Sequence, residues 1–105
     1  GESPVAAAVR ELREETGYEG RYARLLGSIS PNPALQSNTC HTVLVEDCRC
    51  VHPVEFDAGE DLLTRLVPVD EVMKLVAAEK IQHSLVMVGL TYFDLWRRGL
   101  KQTNS

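Results

Sequence analysis

Apolar residues recur at three- and four-residue intervals near the start of the chain, where Val5, Ala8, Val9, Leu12 and Thr16 would form one buried stripe. Ser3 is placed to cap that stretch, Pro4 suits a first helical turn, the alanines favour it, and Gly17 is the expected stop. The spacing therefore predicts a helix over about 4–16. Beyond it, "RYARLLGSIS" reads as a strand, "PNPALQSN" as a loop and "CHTVLVEDCRC" as a second strand. "HPVEFDAGED", covering an acidic stretch at about 53–61, reads as a loop, and "LLTRLVPV" as a third strand. "VDEVMKLVAAEK" predicts a short helix with Asp70 near its start. Leu85, Val88, Leu95 and Trp96 mark a longer amphipathic helix, placed at about 81–98 and ended by "RRGLKQ". The final "QTNS" is expected to fray.

Helix, strands, then two helices is an α+β or layered α/β order. Three strands make a thin sheet for those helices, so the opening part of the fold is expected to be absent from this chain. At 105 residues it holds one domain at most. With 44% hydrophobic and 25% charged residues the composition is that of an ordinary globular protein, which gives no reason to expect disorder. A net charge of -4 argues against nucleic acid as a partner, since that task usually shows a basic face. No run reaches the roughly 18 apolar residues of a membrane span, so no membrane partner is expected either.

Three cysteines cannot all pair within one chain, and an odd count without a signal peptide fits free thiols in a reducing cytoplasm. Cys48, Cys50 and His52 alternate along "CRCVH" and would share one strand face. That face suits either a soft metal or ordinary packing, and no fourth ligand at usable spacing is evident.

The strongest chemical signal lies on the first helix. Glu11 and Glu15 stack one turn apart and Glu14 lies on the adjoining flank. Like charges at this spacing cost a few tenths of a kcal/mol each. Ala7 and Ala8 in the preceding turn leave room for another group to approach. Two readings follow: a solvated acidic face balanced by Arg10 and Arg13, or a hard-cation site built from carboxylate oxygens.

The wider spacing favours the second. Glu2 is followed by seven residues and then "RELREETGY", which supplies Arg10, Glu11, Leu12, Glu14, Glu15 and Gly17. This resembles the Nudix box, G-x5-E-x7-R-E-U-x-E-E-x-G-U, with Tyr18 in place of its last aliphatic residue. The motif's first glycine would precede residue 1. The resemblance implies an α/β/α sandwich with a mixed sheet, of which residues 1–105 would be the C-terminal part without the N-terminal strands. This polypeptide alone is then expected to be inactive, and to be held folded by dimerisation.

The same resemblance implies Mg²⁺- or Mn²⁺-dependent cleavage of a diphosphate bond in a small nucleotide substrate. Glu11, Glu14 and Glu15 would be metal ligands, with Glu14 and Glu15 also counted as catalytic. Glu2 and Arg10 would support them. Family members often add an acidic residue from a later loop. "GEDLLTRLVPVDEV" resembles the corresponding stretch of ADP-ribose pyrophosphatases and makes Glu60 the favoured residue, with Glu55, Asp57 and Asp61 behind it. Pro33, fifteen residues beyond Tyr18, would mark the substrate loop, or else a rigid turn without ligand contact. ADP-ribose, giving AMP and ribose 5-phosphate, is the favoured substrate. The alternatives are a nucleoside-triphosphate pyrophosphohydrolase and a non-catalytic module that binds nucleotide sugars. Tyr92, Phe93 and Trp96 are expected to be core or dimer contacts.

Overall fold

The computed structural model describes residues 1–32, 34, 38–52 and 64–101. The element order is α1 (Pro4–Thr16), β1 (Tyr18–Ile29), β2 (Cys40–Cys50), α2 (Val69–Ala77) and α3 (Ser84–Arg97). Helices on a β-ribbon make this an α/β arrangement. Among the described residues the sheet consists of β1 and β2, paired antiparallel. The expected substrate-loop residue Pro33 and the acidic loop at about 53–61, Glu60 included, lie outside the described residues.

α1 forms where the pattern places it, and its two ends show why. The Ser3 hydroxyl accepts from the Ala6 amide at 3.1 Å and the Ser3 carbonyl accepts from Ala7 at 2.9 Å, satisfying donors that a helix start leaves open. Pro4 needs no such partner, since it has no N–H. At the other end Gly17 adopts φ 77° and donates to the Arg13 carbonyl at 2.8 Å, the left-handed stop that glycine accepts without a side-chain penalty. The Thr16 hydroxyl donates to Leu12 O and accepts from the Tyr18 amide at 3.2 Å, so the turn into β1 is hydrogen-bonded through. Because the Gly17 carbonyl accepts from Val51 at 2.8 Å, pairing starts at Tyr18↔Cys50, earlier than the expected strand start at residue 21.

The register runs from Tyr18↔Cys50 to Ile29↔Cys40 with one irregularity, between Leu25 and Gly27. Leu25 pairs with Val43 and Gly27 with Thr42, leaving Leu26 as the extra residue of a β-bulge. Leu26 is also the fully buried apolar side chain among the described residues, only 1% exposed. The bulge therefore serves the core: it frees one leucine from the ladder and buries it. Beside it, the place a Cβ would take on Gly27 is filled by the Tyr92 ring, 2.5 Å away. Tyr92 also donates from its hydroxyl to Ser28 O at 3.5 Å, so this aromatic is a packing residue that docks α3 on the ribbon. Phe93 and Trp96 stack at 6.1 Å between centroids, half-buried on the same helix.

The third strand expected over 62–69 does not form in its described part. Residues 64–68 carry no ladder, and Val69 already belongs to α2. Pro68 has no N–H to donate and sits at φ −55° at the helix start, while Leu66 is 74% exposed. The two later helices are also shorter than the pattern suggests. Glu79 turns at φ 58° and Gly99 at φ 74°, each in the turn that closes a helix. Asp70 accepts from Arg97 at 3.3 Å, which ties α2 to α3.

Gly27→Ala should destabilise the fold, because the new methyl meets the Tyr92 ring. Overpacking of this kind costs about 1–3 kcal/mol. A thermal melt reads it, and Gly27→Ala combined with Tyr92→Leu should recover part of the loss.

Candidate active site

The geometry of α1 is organised by one guanidinium. Arg10 Nε donates to both carboxylate oxygens of Glu2, at 3.1 and 3.0 Å, and its terminal nitrogen Nη2 reaches Glu2 Oε1 at 2.9 Å. The other terminal nitrogen, Nη1, donates to Glu14 Oε2 at 3.0 Å, and Glu11 stands 3.8 Å from the group. Arg10 thus ties the residue ahead of the helix to the middle and late turns. The hydrogen bond from Arg10 lowers the Glu2 carboxyl below its ordinary value, and the Glu2 partnership raises Arg10. Both side chains are exposed, so this arrangement sets direction more than stability.

Arg13 makes a second attachment. It stands 3.2 Å from Glu19 Oε1 at the start of β1 and donates to His52 Nε2 at 3.4 Å, joining α1 to the end of the ribbon.

The three expected metal ligands all lie on the solvent side of α1, with Glu11, Glu14 and Glu15 each exposed. At about 100° per residue, Glu11 and Glu15 share a face with Pro4, Ala7 and Ala8, and Glu14 falls beside it. That face borders an open groove of about 440 Å³. Ala7, Ala8 and Glu11 form one wall, while Thr39, His41 and Val43, from the start of β2 and the residue before it, form the other. The small alanines are what keep the groove open, as their position in the sequence suggests. Glu14 and Arg10 border a different groove on the opposite flank, with Arg13, Glu19 and His52.

The donor set suits a hard divalent cation: three exposed carboxylates supply only oxygen ligands. Among the described residues no group of three or more His, Cys, Asp or Glu is gathered to hold an ion. For the glutamates this is the arrangement that mutual repulsion favours, and their exposure leaves the rotamers open to converge on a positive charge. The alternative at Cys48, Cys50 and His52 is not gathered either. Cys48 donates to Val45 O at 3.4 Å and Cys50 to His52 O at 3.5 Å, and burial, with Asp47 adding, pushes the Cys48 thiol up and away from the thiolate a metal needs. All three cysteines are free thiols.

One polar pair was not anticipated by residue type. Ser28 Oγ and His41 Nδ1 stand 2.7 Å apart across the ribbon, brought opposite each other by the register beyond the bulge. Thirteen residues separate them in the chain, and only a known register could have revealed the pair.

Comparison with known proteins agrees with this geometry. The NUDIX domain pattern matches residues 1–87. Over 111 aligned residues the chain is 51% identical to mouse ADP-sugar pyrophosphatase, covering 100% of this chain and 50% of that protein. It is 26% identical over 96 residues to ADP-ribose pyrophosphatase of Bacillus subtilis, covering 90% of this chain and 52% of the relative. A Streptomyces rubellomurinus protein named CMP-5'-(N-acetyl-N-hydroxy-3-aminopropyl)phosphonate hydrolase is 31% identical over 90 residues, 85% of this chain and 43% of its own length. An α1 bearing the complete E-x7-R-E-U-x-E-E-x-G run, capped and clamped as described, places this chain in the NUDIX domain family. The chain spans about half the length of the curated relatives it matches.

The Glu2–Arg10 pair gives a pH prediction. A carboxyl lowered by folding contributes stability above its unfolded value, ordinarily about 4.3 for Glu, and loses it as pH falls through the lowered value. Protection of the first-turn amides of α1, measured against their intrinsic exchange at each pH, should therefore fall on acidification below that range. In Glu2→Gln the extra acid sensitivity should be absent.

Proposed function

We propose that the complete protein is a nucleotide-sugar diphosphatase, with ADP-ribose cleaved to AMP and ribose 5-phosphate. The observation that carries this reading is the row of exposed carboxylates on α1, with Glu14 held by Arg10 and Glu11 beside Ala7 and Ala8 on the wall of an open groove. The names of the mouse and Bacillus relatives support the substrate class.

In this reading Glu11, Glu14 and Glu15 hold Mg²⁺ or Mn²⁺, which when bound neutralises the phosphates and acidifies a water. Arg10 orients Glu14 relative to Glu2, and the rotamers of Glu11 and Glu15 are free to converge on the ion. Ala7 and Ala8 admit the substrate to within reach of the carboxylates. Water adds to one phosphorus as the bridging P–O bond breaks, and its proton passes to a carboxylate, for which Glu60 is our choice. Pro33 is assigned to the substrate loop. Residues 1–105 form the C-terminal part of one catalytic domain, working as a homodimer in the cytoplasm. Free thiols and exposed Leu66, Val69 and Met73 support the last two assignments. Among the described residues no helix is long and apolar enough to cross a membrane.

The test is full-length protein with Mg²⁺ on a panel of ADP-ribose, other nucleotide sugars and nucleoside triphosphates. AMP release from ADP-ribose is expected, and Glu14→Gln or Glu15→Gln should each lower kcat by about 100-fold or more, as loss of a charge-stabilising group does elsewhere. Preference for triphosphates with release of diphosphate, or full activity in both variants, would overturn the reading.

A further inference from the structure

The groove beside Glu11 has an electrostatic asymmetry. Its α1 wall carries the Glu11 carboxylate, and the described residues lining it include no Lys or Arg. A diphosphate entering there brings further negative charge. On the wall opposite Glu11 the side chain able to present a ring N–H to a phosphate oxygen is the imidazole of His41. Asn38 and Thr39 beside it offer neutral groups only.

His41 is also prepared for such a contact. Its Nδ1 is 2.7 Å from Ser28 Oγ, a short hydrogen bond that fixes the ring. With the serine hydroxyl donating to Nδ1, the proton of the neutral ring sits on Nε2, which is then a donor. A protonated ring donates from Nε2 as well. Among the described residues Nε2 has no hydrogen-bond partner, and His41 is exposed where it lines the groove. Ser28 is itself seated by the fold. Tyr92, in the space above Gly27, donates to the Ser28 carbonyl, and the bulge sets the register that brings Ser28 opposite His41.

We infer that His41 is a substrate-binding residue of this site, donating from Nε2 to a phosphate oxygen of the bound diphosphate across the groove from Glu11, with Ser28 as its positioning residue. The inference rests on the reaction proposed above. It adds a protein-borne donor to a substrate otherwise held from the α1 side. A histidine in this role strengthens binding of the diphosphate in ground and transition state alike, so its loss appears in KM rather than in kcat.

The experiment uses the full-length protein with Mg²⁺ and ADP-ribose. His41→Ala should raise KM by about tenfold, the loss expected for one charge-assisted hydrogen bond, with kcat within about twofold. His41→Gln, which can place an amide N–H at similar reach, should recover much of the affinity. Ser28→Ala should raise KM by a smaller factor. Because His41 is exposed, the melting temperatures should match wild type. An unchanged KM in His41→Ala, or equal loss in His41→Ala and His41→Gln, would overturn the inference. Calorimetry with ADP-ribose separates the two levels of the account. A wild type that binds but does not cleave contradicts the proposed reaction. In that case, weaker binding by His41→Ala still supports the contact and equal binding refutes it.

Discussion

One guanidinium shapes the working face of this protein. Arg10 holds Glu2, outside the helix, and Glu14, one turn further along it, with Glu11 nearby. Exposed ion pairs of this kind add little to stability, so they do not explain why the helix exists. The capping at Ser3 and Gly17 and the apolar stripe do that. What the shared guanidinium adds is restriction: two carboxylates that would swing away from their neighbours are tied to one planar donor set. The energetic cost of crowding like charges on one helix is small, and a single arginine offsets much of it.

The groove depends on a second constraint, the bulge at Leu26. An extra residue in β1 buries that leucine and shifts the pairing so that Gly27 meets Thr42 and Ser28 meets His41. Gly27 must lack a side chain because Tyr92 occupies the space, and Tyr92 in turn holds α3 to the ribbon. Packing and chemistry are therefore linked through three adjacent residues. A leucine sinks into the core, a glycine admits an aromatic ring, and a serine orients a histidine at the rim of the groove.

Much of α1 could be read directly from the chain, because local rules decide it. A capping serine, a proline at the first turn, a 3.6-residue apolar period and a terminal glycine all act within a few residues of each other. The carboxylate spacing and the Arg10–Glu14 pairing follow from the same periodicity. Non-local features were less legible. The expected strand over 62–69 rested on a short run rich in Leu and Val, yet in its described part Pro68 starts a helix and Leu66 points into solvent. The bulge, and with it the Ser28–His41 pair, depends on the register between two strands, which no local pattern in either one encodes. Family resemblance supplied the Glu2 and Arg10 partnership that spacing alone would have left as a surface ion pair.

We propose that a divalent cation binds at the exposed flank of α1. Titration of Mn²⁺ into isotope-labelled full-length protein, followed by paramagnetic broadening of backbone amides, tests it without requiring turnover. The account predicts that the amides of Glu11, Glu14 and Glu15 broaden first, at substoichiometric metal, and that Glu11→Gln with Glu15→Gln removes the effect. Broadening centred instead on Cys48, Cys50 and His52, or spread evenly over the acidic surface, would contradict it.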